Sequence, residues 1–373
     1  YLQHPYRADF SVARHADVTV MKPTDTTADE LFADDVEVVG AFSSLALSMP
    51  KIHRREVNPL DVARGILSYD NVKDIRQMDA DVVHDTTDLF PQVKLFLKRH
   101  GIDDHVPVVV TRHEVELNRF SLARPAHLVE NAAHALIPDL REAQVVVHTE
   151  SQKRALIQHG RDPDDIEVIP HGAYSVFGDH RTIETGPEEY CLLFFGNVIP
   201  QKGIGTLVEA IPRVARDIPD VKLVVAGDGQ IPPRARSTIR EHSRHFEIHN
   251  QFIPNEQVRE FFARAEAVVL PYHEQAGSTK GHSGVLATSV SFGKPVVTST
   301  AGDFPSLVEQ SRCGVVVPPR DPDQLATAIT RVLSDDEARR EMAANSREMA
   351  AKLSWENIAE RHVEMYESII RGS

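Results

Sequence analysis

Short runs of β-branched residues alternate with longer amphipathic segments along the whole chain, and few folds accept that pattern. Strands joined by crossover helices form a parallel sheet, so the class is α/β. In the first half the strand candidates are 17–21, 36–39, 81–84, 106–111, 143–148 and 166–169, and the run breaks at Pro170-His171-Gly172. Residues 176–189 carry Gly178, Gly186 and Pro187 among mixed charges with no apolar period, which reads as a linker and places a boundary near residue 180. The alternation then restarts, with strands expected at 190–195, 222–226, 246–248, 267–270, 295–298 and 314–317. Helices are expected at 204–216, 234–245, 255–265, 284–292 and 323–334, and two more polar ones at 337–352 and 355–370. A chain of 373 residues exceeds what one core usually serves, so two domains follow.

Charge and cysteine content narrow the function classes. Against 41 basic residues stand 55 acidic ones, a formal charge of −14, which argues against a nucleic-acid partner because a duplex binder needs a basic surface. No run of about 18 apolar residues exists to span a bilayer. Lys51, His53, Arg54 and Arg55, together with residues 94–100, form local basic patches suited either to solvated faces or to a peripheral contact with anionic lipid head groups. With 2 cysteines far apart in the chain, a disulfide framework is not expected and a reducing, cytoplasmic compartment is the simpler expectation. The start at Tyr1 shows no leader pattern and lacks the initiator methionine, which suggests trimming. Composition carries nothing on oligomeric state.

Three glycine turns hold the chemistry. Phe195-Gly196-Asn197 ends a buried-strand pattern and leads through Lys202-Gly203 into a helix, a junction that places backbone N–H groups and a cation against phosphate, or equally an ordinary strand-to-helix turn. Gly227-Asp228-Gly229 follows a second strand at its carboxyl end, where open parallel sheets bind ligands, though Gly-Asp-Gly also serves as a tight turn. The stretch Gly277-Ser278-Thr279-Lys280-Gly281-His282-Ser283-Gly284 precedes an apolar helix that contains Thr288. Its small residues leave the first N–H groups open to a diphosphate, with Lys280 adding a full charge; the competing use is Ser283 as an N-cap. In the first half His84 and His113 end strands, where imidazole can meet a sugar hydroxyl, and Glu114 and Glu116 follow as acceptor-side carboxylates or solvated ones. Asp79, Asp81, Asp85 and Asp88 lack the spacing of a metal loop, so no metal and no other cofactor is assigned.

Taken in order, these segments resemble the retaining glycosyltransferase family 4, with residues 192–335 the strongest match, including "KLVVAGDG" and "SGVLATSVSFGKPVV". The resemblance implies the GT-B architecture of two facing Rossmann-like domains. It implies an acceptor-side domain over 1–180, a donor domain over 181–354, and a C-terminal helix at 355–373 packing back on the first domain. It implies that Lys202 and the N–H groups of Ser283 and Gly284 meet the diphosphate of a nucleotide sugar, that Gly196 lets it approach, and that His113 lies against the donor sugar. Asn197, Gly227, Asp228, Gly229, Lys280, His282 and Thr288 fall in the matching donor segments, with His84 and Glu114 on the acceptor side. Most members carry an arginine where this chain has Asn197, and a pair of glutamates where it has Lys280 and Thr288; a subgroup with Ser-Gly-Val-Leu-like sequences shares the second change. The implied reaction moves a sugar to a glycan, lipid or small-molecule acceptor without a metal. The alternatives are a non-catalytic nucleotide- or glycan-binding protein of the same fold and a sugar-nucleotide epimerase.

Overall fold

A computed structural model describes residues 11–24, 36–43, 59–86, 88, 91–116, 140–172, 186–273, 278–280 and 283–372. The chain divides into two compact units: Tyr1–Pro170 with Gly277–Lys280 and Trp355–Ser373, and His171–Ala276 with Gly281–Ser354.

In the first unit β1 (Thr19–Pro23) and β2 (Glu37–Phe42) pair in parallel. A four-stranded parallel sheet follows, in which β3 (Val83–Asp85), β4 (Val108–Arg112), β6 (Glu142–Val147) and β7 (Ile166–Val168) lie side by side in chain order. Its central strands are apolar on both faces because both faces are covered, as parallel sheets require. Val108 and Val110 pack with Tyr69, Phe96, Leu97 and Ile102. Between them Val109, with Val146 of the next strand, turns to the other face and meets Ile358 and Met365 of the helix Trp355–Gly372. Full burial of each valine contributes roughly 1.5–3 kcal/mol, so the C-terminal helix is held chiefly by this apolar face.

A polar bond adds direction to that contact. His84 on β3 has its Nδ1 2.5 Å from the Tyr366 hydroxyl on the helix and its Nε2 2.8 Å from Thr111 Oγ1 on β4. Burial, with lesser contributions from His362 and His113, holds the His84 imidazole well below its ordinary range, so the ring is neutral and one nitrogen donates while the other accepts.

In the second unit the sheet order is β10-β9-β8-β11-β13-β14, all parallel, built from β8 (Cys191–Phe195), β9 (Lys222–Ala226), β10 (Phe246–His249), β11 (Ala267–Leu270), β13 (Val296–Ser299) and β14 (Gly314–Val317). Alternate residues of β8 serve opposite cores: Leu192 and Phe194 face the helices Ile204–Asp217 and Pro322–Ser334, while Leu193 faces Phe262 and Val290. The chain runs outward from β8 through β9 to β10, then crosses to the other side of β8 to lay down β11, β13 and β14. The order therefore reverses between β8 and β11. Among the described residues no helix is long and apolar enough to cross a membrane.

One feature departs from the expected pattern. The run 277–284, read as a continuous glycine loop, is divided: β12 (Ser278–Lys280) pairs antiparallel with β5 (Glu114–Glu116), with Lys280 opposite Glu114, and only at Ser283 does the helix Gly284–Ser291 begin. Two three-residue strands satisfy one another's backbone groups here, a pairing that leaves no periodicity for a sequence to display.

Removing the Tyr366 hydroxyl isolates the polar part of helix docking. Tyr366→Phe keeps the ring but leaves His84 Nδ1 without that partner, and should lower unfolding free energy by about 1–3 kcal/mol in urea. An unchanged midpoint would show that the apolar face alone docks the helix.

Candidate functional site

In open parallel sheets the crevice outside the carboxyl ends of the strands, at the point where strand order reverses, is where ligands bind. In the second unit that point lies between β8 and β11, and the segments leaving those strands are Gly196–Gly203 and Pro271–His273. Gly196 has φ 89°, and a methyl group there would sit 2.9 Å from Lys202 Nζ and 3.4 Å from Val285 Cγ2. The missing side chain thus brings the lysine ammonium and the first turn of the helix Gly284–Ser291 against bare backbone.

Lys202 ends a short 3₁₀ turn, Pro200–Lys202, closed by Gly203 in the left-handed region. A Cβ on Gly203 would lie 1.8 Å from the Pro271 carbonyl oxygen. The turn is further tied down by the His273 N–H, which donates to Gln201 O at 2.7 Å, and by the His273 Nε2 contact with Thr206 Oγ1 at 3.2 Å. Burial, then the charge of Arg320, lowers the His273 imidazole, which is therefore neutral at pH 7. The second glycine turn is laced to the first: Val198 N–H donates to Asp228 O at 2.7 Å, and Gln230 N–H to Val198 O at 3.1 Å. A Cβ at Gly227 or Gly229 would meet Gly196 O at 2.1 Å or Val198 O at 2.2 Å. Asn197 and Asp228 are exposed beside these turns.

Tyr272, which sequence reasoning passed over, joins the pieces. Lys202 Nζ stands 5.6 Å from its ring centroid, a cation–π contact, and its hydroxyl lies 3.1 Å from Ser283 Oγ. Burial pushes the phenol up to about 12, so it is neutral. Its ring also meets Phe304 edge-on at 5.1 Å. The available signal was an aromatic residue two positions past the carboxyl end of an apolar strand. Ser283, turned to Tyr272, makes no capping bond to the helix it precedes. The first N–H groups of the helix Gly284–Ser291 thus have no side-chain cap, and its dipole places partial positive charge there. Buried Thr288 donates its hydroxyl to Gly284 O at 2.8 Å, within the helix.

Gly196, Lys202, Gly203, Gly227, Gly229, Ser283 and Gly284 thus gather in one region of the second unit. His282 lies outside the described residues, as does the side chain of Lys280, whose backbone belongs to β12 in the first unit. His84 is committed to Tyr366 and Thr111. Glu114 is exposed on β5. His113, at the end of β4, has Nε2 3.0 Å from Thr86 O and Nδ1 2.9 Å from Nε2 of His148, so both ring nitrogens are engaged inside the first unit. His148 and Gln152, which complete this arrangement, were not singled out from sequence. Among the described residues no group of three His, Cys, Asp or Glu side chains is arranged to hold a metal.

Two measurements check the geometry. Gly203→Ala forces a Cβ into the Pro271 carbonyl at a positive φ, and should cost more than about 2 kcal/mol of stability in denaturant titration. Ultraviolet difference titration of wild type against Tyr272→Phe should show one phenol fewer ionising near 12. Because its folded pKa is raised, that phenol's contribution to stability is complete below about 10 and lost as pH rises through about 12. A Tyr272 that ionises with the exposed tyrosines contradicts its placement.

Residues 189–335 match the family model for glycosyl transferases group 1, and residues 12–173 the model for glycosyltransferase family 4. An uncharacterized glycosyltransferase of Methanocaldococcus jannaschii is 27% identical over 278 residues, covering 70% of this chain and 69% of its own. The glycogen synthase of Mycobacterium tuberculosis is 29% identical over 284 residues, covering 72% and 64%. The chain thus spans about two thirds of the length of these curated relatives. The crystal structure of Anabaena HepE in complex with UDP superposes with a TM-score of 0.69 at 17% identity, over 98% of this chain and 96% of that one. With two parallel-sheet units of Rossmann type, each matched by a glycosyltransferase model, the chain belongs to the glycosyltransferases of the GT-B fold.

Proposed function

We propose that the chain is a retaining enzyme of glycosyltransferase family 4 that moves a sugar from a nucleoside diphosphate sugar to a glycan, lipid-linked or small-molecule acceptor. The observation that carries this reading is the meeting of Lys202 Nζ with bare Gly196 and the uncapped start of the helix Gly284–Ser291, at the reversal of strand order. A lysine ammonium and helix-start N–H groups without a side-chain cap, converging on glycine backbone, suit a diphosphate.

In this reading residues 181–354, most of which lie in the second unit, are the donor domain and residues 1–180 are the acceptor side, with 355–373 attached to it. Lys202 and the N–H groups of Gly284 and its neighbours neutralise the diphosphate as the bond from the anomeric carbon to its oxygen breaks, which is stabilisation of charge developing in the transition state. The acceptor oxygen bonds to that carbon on the same face, and its proton passes to the departing diphosphate. Asn197 and the turn Gly227-Asp228-Gly229 serve the nucleotide side, with Lys280 and His282 in the segment leading to Ser283. Thr288 serves by bonding back to Gly284 O, which shapes the helix start. His113 serves the sugar, Glu114 the acceptor. No protein carboxylate is required as a nucleophile, and the charge is neutralised without a metal. Work in the cytoplasm, in peripheral contact with a membrane for a lipid-linked acceptor, fits the absence of a spanning helix among the described residues.

A panel of nucleotide sugars, UDP-glucose among them, tests the donor site directly. A donor at 100 times its Kd should add about 2.7 kcal/mol of stability and raise the melting temperature. With an acceptor present it should release nucleoside diphosphate. Lys202→Ala, half-buried in its turn, should keep the fold and lose about ten- to a hundredfold in kcat/KM, the value of one charge-assisted phosphate contact. Unchanged kinetics, or no stabilisation by any nucleotide sugar, rules out the assignment.

A further inference from the structure

Ser283 stands at the N-cap of the helix Gly284–Ser291 in every respect but its side chain. Its backbone is extended, at φ −69° and ψ 119°, and its carbonyl oxygen accepts the Ala287 N–H at 3.1 Å, the first bond of the helix. A serine so placed ordinarily turns its hydroxyl onto the N–H two or three residues ahead, here that of Val285 or Leu286. This one does not. Elsewhere the chain uses the device freely. Thr149 Oγ1 accepts the Gln152 N–H at 3.2 Å, Asp321 Oδ1 accepts those of Asp323 and Gln324 at 3.1 and 2.9 Å, and Asp335 Oδ1 that of Ala338 at 3.0 Å.

What draws the Ser283 hydroxyl away is Tyr272, whose own hydroxyl lies 3.1 Å from Ser283 Oγ. Tyr272 is fixed by its surroundings. Its N–H donates to Leu270 O at 2.9 Å, its carbonyl accepts from the buried Ser299 hydroxyl, its ring meets Phe304 edge-on, and the Lys202 ammonium stands over the ring. The hydroxyl is thereby aimed, and among the described residues Ser283 is its one hydrogen-bond partner. A phenol hydroxyl taken out of water loses more without its partner than one capping bond returns. The balance holds Ser283 toward Tyr272 and leaves the helix start uncapped.

We propose that Tyr272 is the positioning residue of Ser283: it holds the serine hydroxyl off the helix, so that the first N–H groups are kept for the diphosphate of the ligand. Ser283 is then a latent competitor of that ligand, one side-chain rotation from occupying the N–H groups itself. The consequence for binding rests on the proposed donor site; the direction in which the serine turns does not.

Tyr272→Phe removes only the hydroxyl and keeps the ring beside Phe304 and Lys202. Ser283 then turns to cap its helix. Amide hydrogen exchange of the full chain, with no nucleotide present, should show the Val285 or Leu286 N–H slowed about fivefold against the wild type, the worth of one cap. Titration with UDP, ADP and GDP should give, for whichever binds, a Kd raised by the same factor of about five. Removing the competitor as well restores the site: Tyr272→Phe/Ser283→Ala should bind about fivefold more tightly than Tyr272→Phe. A double variant that binds no more tightly than the single one overturns the proposal, because a hydroxyl of Tyr272 or Ser283 that touched the ligand directly gives that result. Val285 and Leu286 N–H groups that exchange in Tyr272→Phe as they do in the wild type overturn it as well. If no nucleoside diphosphate binds the wild type, the donor reading fails, while the exchange comparison still decides where Ser283 turns.

Discussion

Strand β8 is hydrogen-bonded to β9 on one side and to β11 on the other, and everything proposed for the second unit depends on that double pairing. The connections from β8 to β9 and from β10 to β11 leave the sheet in opposite directions. The segments that follow β8 and β11 at their carboxyl ends, Gly196–Gly203 and Pro271–His273, line the point where the strand order reverses. Because both faces of the central strands β8 and β11 are buried, those strands carry no charged side chains, and polar chemistry falls to the segments that follow them.

The crevice is made by what is absent from it. Gly196, Gly203, Gly227 and Gly229 each stand where a Cβ would strike a carbonyl oxygen or the lysine ammonium. Their close approaches pull the turn after β8 onto both the turn after β9 and the carbonyl after β11. The constraint on three of them is steric and in hard backbone atoms, so it is independent of which ligand is bound. Lys202 is different: its ammonium stands 5.6 Å from the Tyr272 ring centroid, an aromatic partner rather than hard backbone. A carboxylate in that place would cancel the charge a diphosphate needs. An aromatic ring there brings no countercharge of its own.

The strands were legible where an apolar run is uninterrupted, as in the buried Ala267–Leu270, the largely buried Lys222–Ala226 and the part-buried edge strand Gly314–Val317, whose bounds agree with the sequence reading to the residue. The expected helix over 234–245 was read too long. It stops at Glu241, and a separate turn at Ser243–His245 buries the His245 ring so that its Nδ1 meets Val221 O at 2.9 Å. A tertiary bond overrides local periodicity there. The glycine turns and Lys202 were legible because conformational demand is written in residue type. Tyr272 and the β5–β12 pair were not, since they depend on partners 70 and more than 160 residues away along the chain.

His113 shows how position and role separate. Its place after an apolar strand singles it out as a candidate, and that inference uses one-dimensional information only. Its chemistry is set by Thr86, His148 and Gln152, which arrive from three other segments. An imidazole at a sheet edge with an open nitrogen is a base; the same imidazole with both nitrogens bonded, one to a carbonyl and one to a second imidazole, has lost that option. What it keeps is a fixed orientation, which suits a step whose difficulty is departure of an anion rather than removal of a proton.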